Sequence, residues 1–260
     1  MKKTLGIALG AGGSRGVAHI GFLQALAEEG IAPDYIAGSS MGAVVGAATA
    51  AGVPLEEMKH AVMKLRLLHL IAPTGKRGGF FDTTKVKKLL VKYIGELEFS
   101  ELKIPFRCVA VDMITQSVVE FSDGPLLDGV IASLSIPSIF RPLEKDGMRL
   151  IDGGVLERVP VKRVKAMGAD VVVAVDVLGG RKSKEKMPGT IGVLLETMDI
   201  MDNRRTESQR KECADCIDFW LEPALEDMSQ YSLKQVQFAY EKGYELGKAH
   251  VDKIKKALRR

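Results

Sequence analysis

Three short motifs in this chain carry the residue types that acyl transfer requires. Hydrolysis of an ester by a serine needs a nucleophile, a group that accepts its proton, and backbone N–H donors that stabilise an oxyanion. In chain order the motifs are residues 10–16 (Gly-Ala-Gly-Gly-Ser-Arg-Gly), Gly38-Ser39-Ser40-Met41-Gly42 and Asp152-Gly153-Gly154. Together they indicate a serine hydrolase that acts on acyl esters.

Ser40 is the candidate nucleophile. It lies between a short apolar run, residues 35–37, and a helix of small residues predicted at 41–51. In a nucleophile elbow the serine occupies a sharp strand-to-helix turn, and the small residues Gly38 and Gly42 leave room for that turn. The N-terminus of the following helix would stabilise the negative charge that develops. An ordinary structural turn is the competing interpretation.

The glycine-rich loop allows three interpretations. It is a plain turn, a nucleotide site, or an oxyanion hole formed by the N–H groups of Gly12 and Gly13. The dinucleotide fingerprint G-x-G-x-x-G fails from Gly10, because Arg15 occupies the sixth position. The acidic residue expected after the second strand of such a site is also absent. Taken alone, the loop does not separate these alternatives.

Asp152 is the candidate proton acceptor. The four histidines, at 19, 60, 69 and 250, do not follow a late strand as a triad histidine would. Asp152 ends a strand predicted at 149–151, and Gly153 and Gly154 then allow a sharp turn. In a Ser-Asp dyad the carboxylate accepts the proton directly, and burial would raise its basicity. Asp-Gly also occurs in ordinary turns.

Strands and helices alternate along the chain, which predicts an α/β fold with a mostly parallel sheet. The predicted strands are 5–9, 35–37, 106–112, 117–121, 149–151, 171–177 and 217–221. The predicted helices are 17–29, 41–51, 55–68, 84–94, 126–134, 191–210 and 233–258, with loops at 72–81 and 181–188. We expect one domain over residues 1–260, with a helical C-terminal part at 190–260.

Composition excludes several classes of protein. The chain is 46% hydrophobic and 27% charged, as in globular proteins, and its net charge of +4 is too small to indicate nucleic-acid binding. Three cysteines, an odd number, favour a reducing, cytoplasmic compartment. The apolar run at 5–9 follows two lysines but no small-residue cleavage site, so we expect a buried strand there rather than a signal peptide.

Positive charge concentrates in one internal segment. Residues 59–92 contain nine Lys or Arg and a single acid, Asp82, interleaved with leucine and phenylalanine. One interpretation is a solvated helix face. The other is a flap at 65–90 that covers the site and contacts anionic lipid headgroups, which would place the protein peripherally on a membrane in a salt-sensitive way.

The ordered motifs resemble those of the bacterial patatin-like phospholipases. The similarity extends over residues 5–177 and includes 16–21, Ala132-Ser133 with Pro137, and Val159-Pro160-Val161. It implies a three-layer α/β/α fold and a metal-free, cofactor-free dyad that cleaves acyl esters of phospholipids and other lipids through an acyl-enzyme. It also implies that Ser40 is the nucleophile and Asp152 its base, that Gly12 and Gly13 form the oxyanion hole, and that Arg15 and Gly16 shape the loop.

Two positions depart from the family pattern, and other functions remain open. Ala11 and Glu157 stand where many members have glycine and an uncharged polar residue. A catalytically silent lipid-binding or regulatory protein would keep the same motifs, and a nucleotide-binding protein would keep the loop. Cys213 and Cys216 have the spacing of a redox or metal pair, but nothing in the sequence completes such a site. The sequence does not indicate an oligomeric state.

Overall fold

The computed structural model describes residues 3–66, 70, 72–74, 78–180 and 189–259. The loop expected at 181–188, His69 and parts of the flap expected at 65–90 lie outside these residues. Within the described chain, none of the helices is both long and apolar enough to cross a bilayer.

Eight described strands form the central sheet: β1 (Leu5–Leu9), β2 (Tyr35–Ser39), β5 (Phe106–Asp112), β6 (Ser117–Phe121), β8 (Leu143–Lys145), β9 (Met148–Asp152), β10 (Val171–Val175) and β11 (Phe219–Leu221). Their order in the sheet is β11-β10-β1-β2-β5-β9-β8, with β6 paired to β5. The strands from β11 to β5 are parallel. Since β1 and β10 are buried on both faces, their uninterrupted apolar runs are those of a covered parallel sheet.

Helices cover both faces of this sheet, and the three-layer α/β/α fold is confirmed. They are α1 (Val17–Glu28), α2 (Met41–Ala51), α3 (Leu55–Met63), α4 (Thr84–Ile94), α5 (Leu126–Ser133), α6 (Val161–Ala166), α7 (Thr190–Glu212) and α8 (Val236–Arg259). Ile7 and Val173 face the larger core, which includes α1, α2 and α8. Ala8 and Ala174 face the smaller core on the α6 side.

β2 and β9 meet end to end along one edge of β5. Ser39 of β2 is level with Val109, and Asp152 of β9 is level with the next residue, Ala110. β6 occupies the other edge of β5 over the same stretch. Because β9 runs antiparallel to β5 and β2 runs parallel to it, the carboxyl ends of β2 and β9 point at each other. This arrangement brings the second and third motifs together.

Two local predictions were wrong. Residues 72–81, expected to be a loop, contain β3 (Ala72–Pro73) and most of β4 (Gly79–Asp82). With β7 (Ser138–Phe140) these strands form a small three-stranded sheet, so pairing with a distant segment overrides the glycine-rich local sequence. The helix expected at 55–68 ends at Met63, and Leu65 lies beyond it in the wall of a cavity.

Candidate active site

The backbone at Ser40 has the conformation of a nucleophile elbow. Ser40 has φ 54° and ψ −121°, a strained combination for a residue with a side chain, and α2 begins at the next residue. The two glycines of the motif permit this turn. A Cβ atom on Gly38 would lie 2.4 Å from Gly42 O, and one on Gly42 would lie 2.1 Å from Leu9 O. The packing therefore explains why the pattern needs glycine on both sides of Ser40.

Ser40 and Asp152 are joined directly by their side chains. Ser40 Oγ donates a hydrogen bond of 2.5 Å to Asp152 Oδ2, and both residues are buried. The end of α5 fixes the backbone on each side of this pair. Ser133 Oγ accepts a hydrogen bond of 2.8 Å from the Ser40 N–H, and Ser135 O accepts one of 3.0 Å from the Asp152 N–H. Within the described chain, Ser40 and Asp152 are thus held by the same short segment.

Burial changes the acidity of Asp152. Loss of solvent raises the pKa of this carboxyl to about 7, and the nearby negative charge of Asp202 adds to the rise. Hydrogen bonds from Ser40 and from the Gly154 N–H, which donates to Oδ1 at 2.7 Å, act in the opposite direction. A carboxylate with a pKa near neutrality is a competent proton acceptor at physiological pH.

The glycine-rich loop presents free backbone donors beside Ser40. The N–H groups of Gly12 and Gly13 have no acceptor in the described part of the chain, whereas the Ser14 N–H donates to Gln230 O. Gly12, Gly13, Ser40 and Asp152 line one cavity. An oxyanion requires two such N–H donors that converge on it, so Gly12 and Gly13 are the candidates for this role.

The remaining residues of the loop hold it in place. Arg15 is buried, and its guanidinium donates to Val177 O at 2.6 Å and to Met228 O at 2.9 Å. Gly16 packs against Met41, the residue after the candidate nucleophile. His19 Nε2 donates to Gly10 O at 2.8 Å, and burial lowers the pKa of this imidazole to about 4.

Two cavities meet at Ser40. The first, of about 280 Å³, is lined almost entirely by apolar side chains of α1, α2, α3 and α4. Ser40, Val44 and Ala48 line it at successive turns of α2, so it follows that helix for about 12 Å. The second, of about 230 Å³, is more polar and includes Asp202 and Arg205 of α7. We call them the apolar cavity and the polar cavity.

Sequence reasoning missed the contribution of α7. Arg205 Nη2 donates to Gly154 O at 2.9 Å and to Asp202 Oδ1 at 2.6 Å. Asp202 also pairs with Arg158, which forms a buried ion pair of 2.7 Å with Asp176. Through the bond from Arg205 to Gly154 O, this group of charged side chains holds the turn that follows Asp152. No local signal in α7 reveals this, because the partners are about fifty residues away.

Glu157 and the cysteine pair lie apart from the Ser40 side chain. Glu157 accepts hydrogen bonds from Arg163 at 2.7 to 3.2 Å, so its charge is compensated. Gly153 packs against Val109 O on β5. Cys213 and Cys216 are free thiols, and among the described residues no three His, Cys, Asp or Glu side chains group as metal ligands would.

Solved structures with this fold are known. The chain is similar to VipD from Legionella pneumophila, with a TM-score of 0.66 and 14% identity over 97% of this chain and 67% of that one. It is also similar to the type III effector protein ExoU, with a TM-score of 0.54 and 12% identity over 97% of this chain and 53% of that one. At these identities the likeness concerns the fold alone.

Curated proteins match more closely in sequence. An uncharacterised NTE family protein of Mycobacterium tuberculosis is 40% identical over 66% of this chain and 49% of its own length. Lysophospholipase NTE1 of Coccidioides immitis is 27% identical over 97% of this chain and 18% of its own length. Patatin-like phospholipase domain-containing protein 7 of Rattus norvegicus is 32% identical over 67% of this chain and 14% of its own length. The chain thus spans at most about half the length of these relatives.

The match to a family model covers the elements that build the site. The model for patatin-like phospholipases matches residues 7–165, more than half of the chain. That stretch contains the glycine-rich loop, the elbow at Ser40 and the turn at Asp152. By this match, the chain belongs to the patatin-like phospholipase family.

Proposed function

We propose that this chain hydrolyses carboxylic esters of lipids through an acyl-enzyme. The observation that carries the proposal is the 2.5 Å hydrogen bond between Ser40 and Asp152, formed where an apolar and a polar cavity meet. Relatives that are named lysophospholipases or patatin-like phospholipases support lipid esters as the substrate class. A lipid substrate also implies peripheral contact with a membrane.

In the acylation step, Ser40 Oγ attacks the ester carbonyl while Asp152 Oδ2 accepts its proton. The carbonyl oxygen becomes an oxyanion, which the N–H groups of Gly12 and Gly13 stabilise. The tetrahedral intermediate then collapses, the ester C–O bond breaks, and the proton on Asp152 passes to the departing alkoxide. The alcohol leaves, and the acyl group remains on Ser40.

Deacylation repeats these steps with water. Asp152, again ionised, removes a proton from a water molecule that attacks the acyl-enzyme, and the second tetrahedral intermediate uses the same two N–H groups. Collapse returns the proton to Ser40 Oγ and releases the carboxylic acid. Arg15 and His19 remain outside this proton path, since their described hydrogen bonds go to backbone carbonyls.

The two cavities suit the two halves of a lipid ester. The apolar cavity accommodates the acyl chain, because it begins at Ser40 and its walls are apolar. The polar cavity accommodates the alcohol part, because Asp202, Arg205 and Gln230 line it. This division places the ester carbonyl between Ser40 and the N–H groups of the loop.

A fluorophosphonate probe tests the proposal directly. We expect one covalent adduct per chain by intact mass, with a labelling rate that rises with pH and is half-maximal near pH 7. The reason is that only ionised Asp152 accepts the Ser40 proton, and burial raises the pKa of that carboxyl to about 7. Absence of an adduct at pH 8 would overturn the proposal. A labelling rate that is independent of pH between 5.5 and 8 would show that Asp152 is not the proton acceptor.

Substitution of Ala48 tests the assignment of the apolar cavity. Ala48→Leu adds three carbons two helical turns from Ser40, at a position that lines the apolar cavity. We expect kcat/KM for a hexadecanoyl ester to fall about tenfold or more, while a butanoyl ester reacts at the wild-type rate. The short ester is the internal control for folding. Equal loss on both esters would show that the acyl chain does not extend along α2.

A further inference from the structure

The first half of α7 exposes a cluster of large apolar side chains. Surface helices normally direct polar residues outward, and clustered apolar exposure marks an interaction site. The exposed fractions are 47% for Val193, 59% for Leu194, 45% for Met198, 63% for Ile200 and 66% for Met201. These five residues are the α7 patch. Residues 190–201 contain no Lys or Arg and two acids, Glu196 and Asp199.

The α7 patch continues into the active site. Met198 and Met201 line the polar cavity together with Ser40 and Asp152. Tyr231, which is 43% exposed, lines both cavities. Two of the five patch residues therefore also form part of the wall of the polar cavity.

A further exposed apolar side chain lies on β4. Phe80 on β4 is 74% exposed. Its neighbours Gly79 and Phe81 pair with Ser138 and Phe140, so Phe80 is level with Ile139 of β7. Ile139 lines both cavities. An exposed apolar side chain of β4 thus lies one strand away from a residue that lines both cavities.

We infer that the α7 patch is the surface through which this protein binds a lipid layer, with the mouth of the site facing the lipid. The inference rests on the proposed function, because a lipid ester must pass from its layer into the cavities. A protein bound over Met198 and Met201 would instead cover the polar cavity, through which the alcohol leaves. The occupant that fits both the apolar surface and the open mouth is the lipid layer.

The charges around the patch bear on the kind of lipid surface. The helix segment 190–201 carries two acids and no basic residue, so it offers no electrostatic attraction to anionic headgroups. Binding must then come from insertion of apolar side chains, which salt does not screen. The patch therefore favours zwitterionic or neutral lipid. This differs from the salt-sensitive, anionic contact that the basic segment at 59–92 predicted.

The test separates lipid binding from catalysis. Leu194→Ser/Ile200→Ser changes two patch residues that line neither cavity. Met113→Ser/Ile114→Ser is the matched control, since these two residues are 46% and 58% exposed and also line neither cavity. Binding to phosphatidylcholine vesicles is measured by flotation with Ser40→Ala as the common background, which prevents hydrolysis. Hydrolysis of a water-soluble butanoyl ester is measured with Ser40 intact.

We expect vesicle partitioning of the patch variant to fall about tenfold or more, because two apolar side chains that would insert into the lipid are replaced by polar ones. The control should bind like the parent protein, 0.5 M NaCl should leave binding unchanged, and all Ser40-containing forms should hydrolyse the soluble ester equally. Equal partitioning of patch variant and control would overturn the inference. So would binding that requires anionic lipid and disappears in salt. If the wild-type protein does not hydrolyse the soluble ester, the result counts against the proposed function instead.

Discussion

Replacing Ser40 with alanine is expected to lower kcat/KM for a lipid ester by on the order of 10⁴-fold or more. Loss of a serine nucleophile removes the covalent route altogether, and what remains comes from the oxyanion donors and from substrate binding. The variant should also lose the fluorophosphonate adduct. Steady-state kinetics and intact mass on the same preparation measure both effects.

Ser39 provides a matched control one residue away. Its side chain is fully buried, and its Oγ has no hydrogen-bond partner in the described structure. Ser39→Ala therefore removes a hydroxyl from the same strand end without removing a described hydrogen bond. We expect it to retain the adduct and the wild-type rate, and to be at least as stable, because an unpaired buried polar group is costly. An active Ser40→Ala enzyme would assign the chemistry to another residue.

The motifs were predictable from sequence because each depends on local chemistry. A strand, a sharp turn and a helix follow one another within residues 35–51. Gly38 and Gly42 indicate this turn in the sequence, because a larger side chain at either position would collide with neighbouring backbone. The same holds for α4, in which the buried residues Val86, Leu90 and Ile94 recur at every fourth position. In these elements the local sequence and the tertiary structure favour the same conformation.

The meeting of β2 and β9 was not predictable in the same way. It depends on register along β5, where Ser39 and Asp152 are level with consecutive residues. Strand order and direction arise from pairing between distant segments, and a single sequence carries no periodicity that reports them. Ser133 is a similar case. Its type suits any helix terminus, and only the fold shows that its hydroxyl accepts the Ser40 N–H.

Replacing Asp152 with asparagine is expected to lower kcat/KM by about 10³-fold or more. Asparagine has the same shape, and its carbonyl oxygen still accepts the Gly154 N–H. The other terminal atom becomes an amide nitrogen, which donates to Ser40 Oγ and does not accept its proton. Fluorophosphonate labelling should slow in parallel and lose its pH dependence. Wild-type labelling of this variant would assign the base to a different group.

The same substitution should also change how stability depends on pH. The free energy of unfolding of Asp152→Asn minus that of wild type should be larger at pH 8 than at pH 5. Folding raises the pKa of Asp152 from 3.8 to about 7, so between these values the native state binds more protons than the unfolded state. The wild-type free energy of unfolding therefore falls as pH rises through this window. Asparagine does not ionise and escapes this cost. At 1.36 kcal/mol per pKa unit, its advantage over wild type should grow by about 2–3 kcal/mol between pH 5 and pH 8.

Urea denaturation of both proteins at the two pH values measures this difference. Other titrating groups are common to the two chains, so they cancel in the comparison. An advantage that stays constant with pH would show that Asp152 does not titrate near neutrality, and the pH dependence expected for labelling would then need another source. An advantage that grows with pH would show that the buried carboxylate destabilises the fold in the ionised form that accepts the serine proton. The site would then trade stability for basicity, as the proposed role of Asp152 as the proton acceptor of Ser40 requires.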